Sequence, residues 1–202
     1  QPPPAHVKTH QAPIMLKLDP KTTALVLIDL QKGIATGQRA PYAADDVAAK
    51  GKQLAQRFRA AGAPVVLVHV GFGADFADAP RQPVDAPTPR PEGGLPPQWF
   101  ELIDGLQQPG DIVVHKRNWG AFYGTDLDLH LRRRGVTTIV LAGIATNFGV
   151  ESTARDAWER NYAVVIAEDA CTTASADLHK VAIEVILPRI SRIVKTADVT
   201  LA

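Results

Sequence analysis

The chain has 202 residues, enough for one α/β domain with a sizeable core. Hydrophobic residues make up 46% and charged residues 21%, and the formal net charge is +1, so the charge balance favours neither nucleic acid nor an anionic membrane as a partner. No uninterrupted apolar stretch approaches the roughly 18 residues that indicate a transmembrane helix. The single cysteine, Cys171, excludes an internal disulfide and fits the reducing cytoplasm, where we expect the protein to act.

Residues 1–14 differ in composition from the rest of the chain. They are rich in proline, poor in regularly spaced apolar residues, and lack the apolar core of a signal peptide. A regularly patterned sequence begins just after the single methionine, Met15. We therefore predict an extended arm, or a segment introduced by cloning, over 1–14 and one domain over 15–202.

Apolar runs of strand length follow one another along the chain, and segments with helical spacing lie between them. The stretch 71–109 is dense in Pro and Gly and is predicted to be irregular, as functional excursions often are. In chain order, the predicted strands cover 22–28, 64–70, 111–116, 138–142, 162–167 and 190–194, and the predicted helices cover 45–61, 126–134, 150–160 and 175–187. This alternation predicts a single-domain, Rossmann-like, three-layer α/β/α fold with a mostly parallel six-stranded sheet.

Charged side chains stand where two of the predicted strands end. Asp29 ends the first strand, Lys116 ends the third, and the turn 143–147 follows the fourth. Ligands of such sheets bind outside the carboxyl ends of the strands, so we expect these groups to converge there. The pair is either a structural ion pair or an acid–base pair whose pKa values are shifted by burial and by each other.

Sequence motifs for common cofactors do not occur. The turn at Gly143 lacks the G-x-G-x-x-G spacing of dinucleotide sites, and neither a phosphate-binding loop nor a G-x-S-x-G elbow is found. The histidines do not fall at metal-ligand spacing. We therefore predict neither a cofactor nor a catalytic metal.

Three motifs follow one another along the chain. Residues 25–31 read LVLIDLQ, and residues 116–127 read KRNWGAFYGTDL, similar to K-x-x-x-S-A-F-x-x-T-x-L with Gly120 in place of serine. Residues 143–157 read GIATNFGVESTARDA, similar to T-x-x-C-V followed by T-A-x-D-A. In this order the three motifs resemble those of the isochorismatase-like hydrolase superfamily, a family of cysteine hydrolases, and the resemblance extends over about residues 18–195. It is greatest to a branch that lacks the catalytic cysteine, because Gly149 falls at the cysteine position.

The resemblance implies catalytic roles for Asp29 and Lys116 and removes the nucleophilic side chain at Gly149. True isochorismatases also have glycine there and hydrolyse a vinyl ether, which requires a proton donor rather than a nucleophile. By this resemblance Asp29 is the general acid, and Lys116 steadies charge in the transition state. We interpret Cys171 as a packed residue, with an amidase that uses this thiol as a further hypothesis.

The resemblance also predicts a non-proline cis peptide at Ile144–Ala145 or Ala145–Thr146, in a turn that directs backbone N–H groups into the cleft together with the dipole of the following helix. Three aromatic residues near Lys116 either wall the substrate pocket or pack in the core or a subunit interface. The residues predicted to bind substrate are Gln31, Trp119, Phe122, Tyr123, Ala145 and Thr146.

The sequence thus predicts a hydrolase that acts on a small anionic or amide-like molecule, with vinyl-ether hydrolysis as one possibility. The alternative is a catalytically silent member of the same fold that binds a ligand or acts as a scaffold. The resemblance further implies a homodimer or homotetramer, and we expect no nucleic-acid or membrane partner.

Overall fold

The computed structural model describes residues 15–202, so the predicted arm over 1–14 lies outside the described residues. In chain order, the strands are β1 (Leu16–Leu18), β2 (Thr23–Ile28), β3 (Val65–Val70), β4 (Ile112–Lys116), β5 (Thr138–Ile144), β6 (Ala163–Thr172), β7 (Arg192–Val194) and β8 (Val199–Leu201). The α-helices are α1 (Ala44–Ala60), α2 (Leu127–Arg133), α3 (Glu151–Glu159) and α4 (Ala176–Val181). A π-helical turn, Thr146–Val150, precedes α3, and a second one, Ala182–Ile186, follows α4.

The main sheet has six strands in the order β4-β3-β2-β5-β6-β7, and every pairing is parallel. All residues of the central strand β2 are buried, which explains its continuous apolar sequence, since helices cover both faces of such a sheet. The predicted α/β fold with a parallel six-stranded sheet is confirmed. Within residues 15–202, no helix is long and apolar enough to cross a membrane.

A second, two-stranded sheet was not predicted. It pairs β1 with β8 in parallel, so that Leu16 lies opposite Val199 and Leu18 opposite Leu201. Both strands have only three residues, too short for an alternating pattern to be visible in the sequence.

The stretch 71–109 is irregular apart from a short 3-10 helix, Pro97–Phe100, as its composition predicts. It packs against the chain just after β2: the amide of Gly33 donates to the carbonyl of Trp99 at 3.1 Å, and Gln31 forms an isolated bridge with Leu102. The excursion therefore forms one side of the sheet edge at which β2 ends.

Candidate active site

Asp29 and Lys116 meet at the carboxyl edge of the sheet. Asp29 directly follows β2, Lys116 is the last residue of β4, and the Lys116 Nζ–Asp29 Oδ2 distance is 3.0 Å. Both side chains are buried, with exposed fractions of 8% for Asp29 and 1% for Lys116. The structure thus brings together the two charged residues that the sequence places at strand ends.

The environment of Asp29 favours its protonated form. Burial raises the pKa of Asp29 from its ordinary 3.8 to about 6, although the charge and hydrogen bond of Lys116 act in the opposite direction. The backbone of Asp29 has a φ of 53°, in the left-handed region that non-glycine residues seldom adopt, while its amide donates to the carbonyl of Val68. Such strained conformations persist mainly at functional sites.

The two carboxyl oxygens of Asp29 differ in their partners. Oδ2 faces Lys116, whereas Oδ1 is the one buried side-chain nitrogen or oxygen without a hydrogen-bond partner in the described part of the chain. Burying a polar atom without a hydrogen-bond partner lowers the stability of the folded state, so such an atom in a native structure calls for a functional explanation. Oδ1 is therefore the oxygen of this carboxyl that no described residue binds.

The ammonium group of Lys116 is fully engaged. Besides the contact with Asp29, Nζ donates to the carbonyl oxygens of Asn118 at 2.8 Å and Trp119 at 3.0 Å. An ammonium group has three donors, and these three oxygens use them all. Lys116 consequently acts on the charge of Asp29 and on the local loop rather than as a free contact for an anionic group.

The turn after β5 lies beside this pair. Gly143 has a φ of 125°, and a Cβ there would stand 2.1 Å from the carbonyl oxygen of Ile28, so only glycine allows β5 to approach β2 so closely. The Ile144–Ala145 peptide, one residue further on, is cis, at one of the two positions predicted. The turn therefore enters the π-helical segment directly against the end of β2.

Gly149 faces Asp29 from within this turn. A Cβ built at Gly149 would lie 3.7 Å from Asp29 Oδ2, 3.0 Å from Ile28 Cγ2 and 3.3 Å from the carbonyl oxygen of Trp119. The hydroxyl of Thr153 donates to the carbonyl of Gly149 at 2.7 Å and fixes the glycine from the first turns of α3. A side chain at this position would thus be directed at the acid–lysine pair.

The predicted substrate-binding residues occupy different environments. Gln31 is buried: its amide nitrogen donates to the carbonyls of Val70 and Trp99, and its amide oxygen accepts from the amide of Val70. Gln31 therefore ties the end of β2 to β3 and to the excursion. Its contact with substrate stays a prediction, and the structure gives this amide a set of backbone partners that the sequence could not indicate.

The three aromatic residues after Lys116 separate. Phe122 packs in the core against the ring of Tyr162, with 5.7 Å between centroids, as the alternative of core packing expects. Tyr123 is exposed. Trp119 is exposed but lies at the site, since its carbonyl oxygen contacts both Lys116 and the Gly149 position.

Sequence reasoning missed Phe148. Its ring meets that of Trp119 edge to face, with centroids 4.8 Å apart, and both residues are partly exposed beside the turn. Ala145 forms the cis peptide, and Thr146 is buried with its hydroxyl 2.7 Å from His179 Nδ1. Phe148 stands next to Gly149 in the third motif, and that adjacency is the only signal that could have found it.

The chain's single thiol lies elsewhere. Cys171 is fully buried in β6, its Sγ donates to the carbonyl of Ala167, and burial raises the pKa of the thiol far above neutrality. Within residues 15–202, no three His, Cys, Asp or Glu side chains group so as to hold a metal ion. The predicted absence of a metal stays a prediction.

The buried aspartate, the lysine and the cis-peptide turn at the carboxyl edge of the parallel sheet are the features that the resemblance of the three motifs predicts. The model of the isochorismatase domain matches residues 23–198, and the chain belongs to the isochorismatase family, a family of hydrolases. The sequence-based identification of the family is confirmed.

Individual proteins of the family are similar to this chain over most of its length. The chain is 56% identical over 180 residues to YecD, an isochorismatase family protein of Escherichia coli O157:H7, covering 89% of this chain and 95% of YecD. It is 36% identical to the ureidoacrylate amidohydrolase RutB of Methylobacterium radiotolerans, over 85% of this chain and 75% of RutB. The structure of an isochorismatase family protein from Burkholderia thailandensis superposes with a TM-score of 0.85 at 48% identity, over 91% of this chain and 95% of that protein.

Proposed function

We propose that the protein is a hydrolase of a small molecule that works without a cysteine nucleophile, with Asp29 as the proton-transfer group and Lys116 as its electrostatic partner. The observation that carries the proposal is the unpartnered, buried Oδ1 of a carboxyl whose pKa is raised to about 6. A carboxyl that gains and loses its proton near neutral pH is suited to general acid–base catalysis.

Proton donation fits the hydrolysis of a vinyl ether. Asp29 Oδ1 gives its proton to the terminal alkene carbon, and the neighbouring carbon becomes an oxocarbenium ion. Water adds to that carbon and loses a proton, and the resulting hemiketal splits into an alcohol and a methyl ketone. The proton released by water restores the acid form of Asp29, so the net reaction consumes one water molecule. No protein nucleophile is required, which agrees with glycine at position 149.

Lys116 sets the acidity of the donor. Its charge stabilises the carboxylate that remains once Asp29 has lost the proton, and burial stabilises the acid before transfer. The two influences oppose each other and hold the pKa near the working range. The carbonyls of Asn118 and Trp119 keep the ammonium group in place while the charge on Asp29 changes.

A second reaction class is supported by the similarity to a ureidoacrylate amidohydrolase. In amide hydrolysis without a thiol, Asp29 would act first as a base: Oδ1 takes a proton from water, which attacks the amide carbon, and the leaving nitrogen then receives that proton. Both reactions use the same oxygen of Asp29, but they need opposite protonation states at the start.

The test is a screen of vinyl ethers, amides, ureides and imides with the wild type and Asp29→Asn. We expect turnover of at least one class, reduced by about 100-fold or more in Asp29→Asn, the range in which general acid–base groups contribute. Asp104→Asn is the matched control, because it makes the same change at an exposed aspartate. Equal rates for wild type and Asp29→Asn would contradict the proposal.

The pH profile distinguishes the two chemistries. If Asp29 is the acid, kcat/KM falls as pH rises through about 6, and if it is the base, kcat/KM rises through the same range. Tight binding of a small molecule with no turnover of any class would instead support the silent, ligand-binding alternative. The predicted homodimer or homotetramer is checked independently by light scattering.

A further inference from the structure

A second polar cluster, with a buried centre and an exposed rim, lies beneath the turn that carries Gly149. Its centre is Glu168 of β6, whose carboxylate accepts from Tyr42 Oη at 2.9 Å, from His179 Nε2 at 2.8 Å and from Lys195 Nζ. The other ring nitrogen of His179, Nδ1, lies 2.7 Å from the hydroxyl of Thr146. We call these five residues the Glu168 cluster.

The contacts define the tautomer of His179. Burial would raise the pKa of Glu168, but hydrogen bonds from His179, Lys195 and Tyr42 outweigh it and lower the pKa to about 2. The carboxylate can only accept, so His179 Nε2 carries a proton. In the neutral ring Nδ1 is then an acceptor, and the Thr146 hydroxyl donates to it.

Thr146 is the first residue of the π-helical turn and follows the Ile144–Ala145 cis bond by one residue. Its neighbour Asn147 is fixed separately, because the hydroxyl of Thr173 donates to Asn147 Oδ1 at 2.6 Å. The same turn presents Gly149 to Asp29. The position of Thr146 therefore determines where the turn stands relative to the candidate proton donor.

A hydroxyl, an imidazole and a carboxylate in a row are also the groups that activate a nucleophile. Here the hydroxyl belongs to Thr146, which has no exposed surface. The imidazole and carboxylate are buried as well. The arrangement is thus built to hold the turn rather than to attack a substrate.

We propose that His179 is a positioning residue: through Thr146 it holds the turn 146–150 in register with Asp29, while Glu168 fixes the ring that does so. This inference rests on the proposed function for its catalytic consequence, but not for its structural one. The geometry of the turn depends on His179 whatever the substrate is.

The experiment compares His179→Leu, which removes both ring contacts, with His179→Gln, whose amide can accept from Thr146 and donate to Glu168. Tyr42→Phe is the matched control, since it removes another donor to Glu168 and leaves the Thr146 contact in place. Amide hydrogen exchange of residues 144–150 is measured in each folded variant, together with kcat and KM on any substrate from the screen.

We expect exchange in 144–150 to be about tenfold faster or more in His179→Leu, with a fall in kcat of similar size and KM within about twofold. His179→Gln should keep both the exchange rate and kcat close to the wild-type values, and Tyr42→Phe should change neither of these quantities. Unchanged exchange in His179→Leu, or equal acceleration in Tyr42→Phe, would overturn the proposal. Because hydrogen exchange needs no substrate, it tests the role of His179 even if the substrate screen finds no turnover.

The nitrogen spectrum of His179 provides a second test. The contacts require a proton on Nε2 and a hydrogen-bonded, unprotonated Nδ1 in the neutral ring. A neutral ring with its proton on Nδ1 would overturn the assignment even if every variant failed to fold.

Discussion

The pKa values of two buried carboxyl groups in this protein are shifted in opposite directions. Asp29 is covered by the end of the sheet and has a pKa raised to about 6, whereas Glu168, also largely covered, has a pKa lowered to about 2. Burial acts in the same direction on both. The difference lies in the partners. Asp29 has Lys116 on one oxygen and no partner from residues 15–202 on the other, while Glu168 receives hydrogen bonds on both oxygens.

The contrast separates a group that is available for chemistry from a group that supports structure. A carboxylate whose oxygens are all satisfied stays ionised and holds its neighbours in place. A carboxylate with one unsatisfied oxygen is held at the expense of stability, and that oxygen can exchange a proton with a ligand.

The largest effect should appear in stability. Glu168→Gln removes the charge that three donors share, and we expect it to lower the free energy of unfolding at pH 7 by about 3 kcal/mol. Asp29→Asn removes a charge that burial already penalises and keeps an acceptor for Lys116, so its loss should be smaller by at least about 1 kcal/mol. Urea denaturation of both variants measures the two losses in the free energy of unfolding. Equal losses would contradict the contrast between Glu168 and Asp29.

Removing the lysine should sharpen the contrast. In Lys116→Met the attraction that lowers the pKa of Asp29 is lost while burial remains, so the pKa of Asp29 should rise above 6. The carboxyl resonance of Asp29, followed through a pH titration, reports the shift. A downward shift would show that Lys116 does not control the acidity of Asp29.

The pH dependence of stability should have opposite signs at the two sites. Asp29 has a folded pKa above its unfolded value, so its contribution is complete below about 3.8 and is lost as pH rises through about 6. Glu168 has a lowered folded pKa, so its contribution is present above about 4.5 and is lost as pH falls towards 2. Relative to Asp29→Asn, wild type should therefore lose stability between pH 4 and 6.5, and a gain there would contradict the assignment.

The smallest effect is expected at the thiol. Cys171 is buried and its pKa is raised, so Cys171→Ser should change kcat/KM by less than about twofold. Complete inactivation, with a covalent adduct on Cys171 in the wild type detected by mass spectrometry, would identify a thiol-dependent amidase instead.

Much of the fold and the central pair could be predicted from the sequence. Parallel strands buried on both faces leave continuous apolar runs, and a charged residue directly after such a run stands at the sheet edge. Asp29 follows from this rule, whereas Lys116 is predicted as the end of a strand whose residues alternate between buried and exposed. The two-stranded sheet of β1 and β8 could not be found, because it joins distant short segments.

The remaining site residues depend on tertiary contacts that leave no local pattern. Gln31 lies just after β2, where ligand contacts are expected, yet its hydrogen-bond partners come from β3 and the excursion. Phe122 and Trp119 look alike in the sequence, but one ring packs against Tyr162 and the other meets Phe148. The Glu168 cluster likewise unites residues from separate elements, which no spacing rule connects.

The most direct test of the central claim is a carbon-13 titration of the Asp29 and Glu168 carboxyl groups in the wild type. Our account predicts a midpoint near pH 6 for Asp29 and no transition above pH 4 for Glu168. A midpoint for Asp29 below about 4, where unperturbed aspartates titrate, would contradict it, because this carboxyl would then hold no proton to donate at neutral pH.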